Sequence, residues 1–238
     1  APSSVPVPDY YADIPIVREG IARKYSNIEA LDKEVGILLD ALEADGVMEN
    51  SVIFFWSDHG GNLLRQKRAV GDSGLHVPLI IRYPDGYRAG ETESRMVSLM
   101  DLGPTVLSLT GQKPPKHMDG KAFAGPFEEA PRDYIYGSAD RFDESTDMQR
   151  SVLDGRYVYI KNFMPELPLI YRNRYREQIP MNKHLIELDA EGKLEGDAAY
   201  IFMKTKPQEE LYDLKNDPYE VHNLANDPAH AEKLKEMS

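Results

Sequence analysis

Two short apolar runs, at residues 52–56 and 77–81, frame the central part of this sequence. Neither run alternates apolar with polar residues, so each is predicted to be a strand buried on both faces, as in the parallel sheet of an α/β protein. Ligands of open α/β sheets bind beyond the carboxyl ends of the strands. We therefore expect the chemistry of this chain in the polar loop that follows the first run.

A helical pattern precedes the first run. Apolar residues recur along it at spacings of three and four, at Tyr25, Ile28, Leu31, Val35, Leu38, Leu39 and Leu42. Pro15 suits the first turn of this helix, and Gly46 suits the left-handed residue that ends it. A shorter helix is predicted after the second run, with Asp101 as its N-cap and Gly111 as its stop.

A stretch rich in proline and glycine at residues 111–132 is typical of a linker, and it predicts a domain boundary near residue 126. Residues 1–125 would then form an α/β unit with a mostly parallel sheet, and residues 126–238 a smaller antiparallel α+β unit. The elements predicted for the second unit are strands at 134–136 and 210–214, a hairpin around Asp154-Gly155, and helices near 181–190 and 228–237.

Composition makes the chain acidic overall and basic near the predicted site. The formal net charge is −12, from 28 Lys and Arg against 40 Asp and Glu, which argues against a nucleic-acid-binding protein with a broad basic face. Between residues 59 and 88, five Arg and Lys stand against two Asp, a balance of +3. This local charge suggests that the partner is an anionic group on a small substrate. No apolar run approaches the roughly 20 residues that span a bilayer, so no membrane partner is expected.

Asp58 and His59 follow the first apolar run after a single serine, and two glycines follow them. Carboxylates and imidazoles are common metal ligands, so this pair is a candidate metal site. The structural alternative is that Asp58 caps the loop and His59 satisfies a backbone carbonyl group, because adjacent residues of an extended chain point to opposite faces. The chain contains no cysteine, which excludes a thiolate metal site, a disulfide and a cysteine nucleophile.

The other candidate site residues have basic side chains. Lys67 suits binding of an anionic group or protonation of a leaving oxygen, and a solvated loop charge is its alternative. His76 is either an anion donor or a polar residue that begins the second strand. Arg141 belongs either to a substrate subsite or to a surface ion-pair network.

The arginines of the stretch YRNRYR suit a sulfated or phosphorylated sugar, because they alternate with aromatic residues. They are Arg172, Arg174 and Arg176. An exposed polar loop is the alternative.

Taken together, segments in order along almost the whole chain resemble the type I sulfatase family of the alkaline-phosphatase-like superfamily. They are YSNIEALDKEVG at 25–36, SDHG at 57–60, Lys67 with GLHVPL at 74–79, DLGPTVL at 101–107, and ELYDL at 210–214 with Asp217-Pro218, Glu220 and Asn223-Leu224. The middle of the first unit and the residues RFDE at 141–144 look closest to the heparan N-sulfatase-like branch.

The resemblance implies an α/β sulfatase fold and hydrolysis of a sulfate ester or sulfamate on a sulfated sugar. In such enzymes a formylglycine hydrate attacks sulfur, while a divalent cation and basic side chains stabilise the oxyanions. Asp58 and His59 would be metal ligands, Lys67 would hold a sulfate oxygen near the leaving group, and His76 and Arg141 would contact substrate. The family also implies a periplasmic or secreted protein.

The sequence departs from the family pattern at the nucleophile. The motif Cys/Ser-x-Pro-x-Arg and two further aspartate ligands belong to an N-terminal half that is absent here; residues 4–8, SVPVP, imitate the spacing without the arginine. The chain therefore resembles the C-terminal half of a sulfatase. We expect it to be inactive alone, to need the N-terminal half that carries the formylglycine, and to self-associate through an exposed sheet edge.

A second departure is His59, where many members have asparagine. Ca²⁺, which prefers oxygen ligands, is the expected metal. Mn²⁺ is the alternative, because it also accepts the imidazole nitrogen of His59 as a ligand. The same Asp-His pair leaves a phosphonate or phosphate mono- or diester hydrolase of the superfamily as the alternative function. A third hypothesis is a non-catalytic module that binds sulfated glycans through Arg172, Arg174 and Arg176.

Overall fold

The chain combines a long helix, a two-stranded sheet and a four-stranded sheet. The computed structural model describes residues 1–238 apart from the side chain of Phe142. The strands are β1 (Ile53–Trp56), β2 (Leu79–Arg82), β3 (Ile135–Phe142), β4 (Ser145–Leu153), β5 (Tyr157–Asn162) and β6 (Glu209–Asp213). The helices are α1 (Pro15–Ala44), α2 (Asp72–Leu75), α3 (Leu102–Leu109), α4 (Arg174–Glu177), α5 (Pro180–Ala190), α6 (Gly196–Tyr200) and α7 (Ala231–Met237).

The two apolar runs form the two-stranded sheet, but they pair antiparallel, with Ile53 opposite Arg82 and Trp56 opposite Leu79. The prediction that these runs lie parallel and buried on both faces is therefore wrong for this pair. The connection between them contains only the four-residue α2, whereas a parallel return usually passes through a longer helix that crosses the sheet. Trp56 is 46% and Ile80 62% exposed. The architecture is nevertheless mixed α/β, as the sequence predicts.

The second half contains an antiparallel sheet in the order β3-β4-β5-β6, and its antiparallel character agrees with the prediction. The hairpin at Asp154-Gly155 joins β4 to β5. Asp154 Oδ1 accepts hydrogen bonds from the backbone N–H groups of Arg156 (2.9 Å) and Tyr157 (2.6 Å). Gly155 has a φ of +91°, a conformation that favours glycine. The turn residues therefore determine the register of this pair of strands.

α1 begins and ends where the sequence predicts. Pro15 is its first residue. At the other end the Val47 N–H donates to the Leu42 carbonyl oxygen (3.2 Å) and the Gly46 N–H to the Glu43 carbonyl oxygen (2.9 Å). Gly46 has a φ of +68°. These two bonds and the left-handed glycine form a Schellman motif.

Only the first two turns of α1 are buried, through Val17 and Ile21. The apolar stripe continues along the helix, but beyond those turns none of its described residues is buried. Its exposed members are Tyr25 (47%), Ile28 (52%), Leu31 (44%) and Leu38 (65%). The predicted amphipathic helix is thus present, but most of its apolar face is not packed in a core.

Asp101 precedes α3, as predicted, but its carboxylate does not cap that helix. It accepts hydrogen bonds from the backbone N–H groups of Ser98 (2.9 Å) and Lys121 (2.7 Å) and from Arg132 Nε (3.1 Å). Burial raises the pKa of Asp101, but Arg132 and the two N–H groups outweigh burial and hold that pKa below its ordinary value. The stretch predicted to be a linker is therefore bound to the start of α3.

The largest hydrophobic core joins the N-terminal segment to helices of the second half. Its members include Val17, Leu64, Met181, Leu185 and Ile201. Residues on both sides of position 126 thus share one core, and the domain boundary there stays a prediction. Two smaller clusters cover the two faces of the four-stranded sheet. None of the helices in the described residues is both long enough and apolar enough to cross a membrane.

Candidate functional site

β1 ends at Trp56, and only Ser57 separates it from the predicted metal pair. The Asp58 side chain is 80% exposed and that of His59 39%. His59 Nδ1 lies 2.7 Å from the Gly60 carbonyl oxygen. Because a carbonyl oxygen only accepts, the tautomer that fits this contact has its proton on Nδ1 and its lone pair on Nε2. Nε2 lies 3.5 Å from Asp58 Oδ2. One imidazole nitrogen and one carboxylate oxygen are therefore side by side.

Two adjacent ligand atoms are only part of a metal site. Within the part of the chain that the structure describes, no group of three or more His, Asp and Glu side chains is arranged to hold a metal ion. A carboxylate oxygen suits Ca²⁺ and Mn²⁺, whereas an imidazole nitrogen suits Mn²⁺ better, because Ca²⁺ takes six to eight oxygen ligands. The pair fits a divalent cation only together with further ligands.

Distant side chains bind the backbone of the loop that carries Lys67. Tyr11 Oη donates to the Leu64 carbonyl oxygen at 2.5 Å, and Arg176 Nη2 donates to the carbonyl oxygen of Lys67. Arg176 is only 3% exposed, and its burial lowers its pKa to about 10, so it stays protonated at neutral pH. The loop position of Lys67 is therefore determined by the tertiary structure.

Tyr175 lies beside the Lys67 side chain. The ring centroid is 5.4 Å from Lys67 Nζ and 6.0 Å from Arg68 Cζ, both within the range of a cation–π interaction. The ring is 48% exposed. The only sign in the sequence that Tyr175 belongs to a site is its place in the YRNRYR stretch. Nothing in that pattern indicates that Lys67 is its neighbour.

The tip of the β3–β4 hairpin reaches the same loop. Asp143 Oδ1 lies 2.5 Å from Arg68 Nη2, and its other carboxylate oxygen accepts from Asn173 Nδ2. Arg141 is exposed, and its Nε donates to the Asp143 backbone oxygen at 2.6 Å. Arg141 thus stabilises the hairpin tip, and this contact leaves its two terminal nitrogens to other partners.

His76 follows α2 and is well exposed. Its side chain is 76% exposed, and Nδ1 lies 3.3 Å from the Asp72 carboxylate. This hydrogen bond raises the pKa of His76. A positive charge on His76 is therefore favoured more than on an isolated histidine.

One open cleft of about 1860 Å³ brings the predicted site residues together. It is lined by Asp58, His59, Lys67, His76 and Arg141. Its walls include β2, the segment 88–99 and the edge of the four-stranded sheet. The five residues therefore share one solvent-accessible space, while their individual roles stay predictions.

The arginines of the YRNRYR stretch do not form one exposed surface. Arg176 is buried beneath the Lys67 loop. Arg172 makes two hydrogen bonds of 2.6 Å with the Glu177 carboxylate. The hypothesis of a glycan-binding surface built from these three arginines has no support in this geometry.

Two family models match the chain. A sulfatase model covers residues 6–112, and a model described as N-sulphoglucosamine sulphohydrolase, C-terminal, covers residues 60–166. The chain belongs to the sulfatase family. The second match agrees with the predicted likeness to the heparan N-sulfatase-like branch.

Relatives of this sulfatase chain are longer than the chain. An ulvan-active sulfatase of Formosa agariphila is 44% identical over 231 residues, which are 97% of the chain and 39% of that protein. The N-sulphoglucosamine sulphohydrolase of Homo sapiens is 26% identical over 248 residues, with 98% of the chain and 49% of that protein covered. Each match includes almost the whole chain but less than half of the relative.

Among solved structures, a 2-O GAG sulfatase superposes with a TM-score of 0.66 at 21% sequence identity. The match covers 99% of the chain and 48% of that structure. This likeness confirms the predicted sulfatase fold, of which the chain contains a part.

Proposed function

We propose that this chain is the C-terminal part of a sulfatase that removes sulfate from a sulfated sugar. The observation that carries the proposal is the shared cleft of a sulfatase-family chain, which Asp58, His59 and Lys67 line together. The 44% identical relative is ulvan-active, so a sulfated polysaccharide is the substrate class that we favour.

In the proposed reaction, Lys67 binds a sulfate oxygen close to the bond that breaks. An ammonium group has three donors and no acceptor, which suits a group of anionic oxygens. Because negative charge grows on the leaving oxygen in the transition state, a positioned cation there accelerates the reaction. The neighbouring Tyr175 ring restricts where the Lys67 ammonium group lies.

Asp58 and His59 would hold the divalent cation through Oδ2 and Nε2. The cation, when bound, would supply electrophilic stabilisation of the sulfate oxygens. The family favours Ca²⁺, and the imidazole nitrogen keeps Mn²⁺ as the alternative. We propose His76 and Arg141 as contacts to the sugar or its anionic substituents, because both line the same cleft.

We propose that the nucleophile lies in a polypeptide region outside these 238 residues. The sequence has no cysteine and no Cys/Ser-x-Pro-x-Arg motif, and it covers 39% and 49% of two relatives. The family resemblance assigns the formylglycine and the other metal ligands to an N-terminal half. Residues 1–125 would complete the catalytic domain with that half, and residues 126–238 would close the cleft. Export to the periplasm or medium is proposed from the family resemblance alone.

The proposal is tested by comparing sulfate release by the full-length protein and by the 238-residue chain, on an aryl sulfate and on ulvan oligosaccharides. We expect turnover only by the full-length protein. Lys67→Ala in that protein should lower kcat by about 10²–10³-fold, the cost of removing one transition-state charge contact. Lys113→Ala is the matched control, because Lys113 is exposed and is not among the residues that line the cleft.

Three results would overturn the proposal. They are robust turnover by the 238-residue chain, unchanged kcat in Lys67→Ala, and a higher rate on the corresponding phosphate ester than on the sulfate ester. The last result would favour the phosphoester hydrolase alternative.

A further inference from the structure

A buried ion pair joins the Lys67 loop to the segment that follows β6. Arg65 Nη1 donates to the Tyr219 backbone oxygen at 2.7 Å, and Nη2 donates to the Glu220 backbone oxygen at 2.8 Å and to Glu220 Oε2 at 3.3 Å. The side chains of Arg65 and Glu220 are 10% and 2% exposed. A buried charge needs such a partner, because burial without one is costly.

The other oxygen of the same carboxylate binds the far end of the loop. Glu220 Oε1 accepts a hydrogen bond of 2.9 Å from the Asp72 N–H, which lies in the first turn of α2 and has no partner within the helix. Arg65 precedes Lys67 and Asp72 follows it. One carboxylate therefore binds the loop on both sides of Lys67.

The backbone conformation around this carboxylate is unusual. Arg65 has a φ of +66° and Glu220 a φ of +51°, in the left-handed region that residues with a side chain adopt infrequently. Tertiary contacts have to offset the cost of such conformations. The three hydrogen bonds from the Arg65 guanidinium group to residues 219 and 220 are contacts of this kind.

Gly71 leaves just enough space for the Glu220 carboxylate. A Cβ atom at Gly71 would lie 2.6 Å from Glu220 Oε2 and 2.8 Å from Oε1, closer than van der Waals contact allows. Since Oε1 and Oε2 both have hydrogen-bond partners, the carboxylate cannot move away without losing one of them. The loop and Glu220 are therefore fitted to each other.

We infer that Glu220 is a positioning residue that fixes the backbone of residues 65–72 and thereby holds the Lys67 side chain at the cleft. Tyr11 and Arg176 bind carbonyl groups at residues 64 and 67, whereas Glu220 also binds the part of the loop after Lys67. The effect on turnover rests on the proposed function. The effect on the loop does not.

Amide hydrogen exchange of the full-length protein tests the effect on the loop. In Glu220→Gln and in Gly71→Ala, we expect peptides that cover residues 62–75 to exchange about tenfold faster or more, since local opening becomes easier. Peptides of β5 should exchange as in the unmodified protein. The Gly71→Ala variant keeps the Arg65 and Glu220 side chains, so it tests the same contact without removing a charge.

Asp101→Asn is the matched control for the exchange experiment. Asp101 is also a buried carboxylate that binds an arginine and backbone N–H groups, but its hydrogen bonds are all outside the loop. The Asp101→Asn substitution should leave amide exchange at residues 62–75 unchanged. Unchanged exchange there in both Glu220→Gln and Gly71→Ala would overturn the inference, whether or not the protein is a sulfatase.

A double-mutant cycle on sulfate ester hydrolysis tests whether Glu220 acts through Lys67. Glu220→Gln should lower kcat by about 10–100-fold with little change in KM, because a contact made in the transition state is weakened. In the Lys67→Ala background the same change should cost less than about threefold, since coupled residues are not additive.

If Glu220→Gln lowered kcat by the same factor in the unmodified protein and in the Lys67→Ala variant, positioning through Lys67 would be overturned. A general loss of stability would lower kcat equally in both proteins. If the full-length protein hydrolyses no sulfate ester, the proposed function fails, and the exchange experiment alone decides whether Glu220 holds the loop.

Discussion

Asp213, at the end of β6, has a lowered pKa for which one arginine is the main cause. Its carboxylate oxygens accept from Arg156 Nε at 2.9 Å and from Nη2 at 2.6 Å, and Asn216 Nδ2 donates to it at 2.8 Å. The hydrogen bonds from Arg156 hold the pKa of Asp213 at about 2, below its ordinary value of 3.8. The ionised carboxylate therefore contributes stability that is fully present above the pKa of the unfolded chain and is lost as the pH falls toward 2.

Replacement of Asp213 by Asn should lower the free energy of unfolding by about 1 kcal/mol at pH 7, a modest value because half of the Arg156 side chain is exposed. The difference from the unmodified protein should shrink progressively as the pH falls from 4 toward 2, because the carboxylate of the unfolded chain is protonated first and that of the folded protein near its pKa of about 2. Urea unfolding of both proteins at pH 7 and at pH 2.5 measures this difference in the free energy of unfolding.

Asp140→Asn is the control for that measurement. Asp140 pairs with Arg150, but its side chain is 66% exposed, so the change should cost less than about 0.5 kcal/mol. A difference for Asp213→Asn that is equal at both pH values would contradict the assigned cause.

At the scale of elements, two glycines of α1 and its C-terminal end allow the effect of backbone conformation on stability to be measured apart from the effect of packing. Gly36 lies within the helix and Gly46 just after its end. Neither glycine has another atom within 4 Å of an added Cβ. Only the backbone conformation differs between the two positions, because Gly46 has a φ of +68°.

Alanine at these two positions should therefore have opposite effects. Gly46→Ala should destabilise the end of α1 by about 1 kcal/mol, the cost of a left-handed conformation for a residue with a Cβ. Gly36→Ala should stabilise it by about 0.5–1 kcal/mol. Amide exchange at residues 36–45 measures both changes, with protection reduced in the first variant and increased in the second. Loss of protection in Gly36→Ala would mean that the apolar side of this turn meets a partner.

At the scale of the whole molecule, apolar surface on α1 adds to that on the two-stranded sheet. Ile37 is 69% and Leu38 65% exposed, and Ile80 of β2 is 62% exposed. Large apolar side chains exposed to this extent indicate an interaction site or an association hazard. We have proposed the N-terminal half of the enzyme as its partner.

The 238-residue chain alone should consequently self-associate. Light scattering after size exclusion should give a mass that rises with concentration, and Leu38→Lys together with Ile80→Lys should lower it. Ser26→Lys, at an exposed polar position of α1, should leave the association unchanged. A monodisperse monomer at all concentrations would contradict this prediction.

Much of the local structure was predictable because it depends on neighbouring residues. Pro15, Gly46 and Gly155 mark ends and turns through their own backbone preferences, and the order of residue types around Asp58 and Lys67 identified the family. The direction of β2 was not predictable from its apolar run, because pairing depends on the path of the connection and not on hydrophobicity.

The sequence by itself determined the family and the approximate ends of α1, α5 and β6, and it selected five residues that the structure places along one cleft, since these depend on residue type, spacing and order. Only the tertiary structure decided which side chains hold the Lys67 loop. Arg65 and Glu220 are separated by 155 residues, and a contact at that distance leaves no periodic pattern in the chain. It forms because burial of each charge requires a partner, and the fold brings that partner within hydrogen-bonding distance.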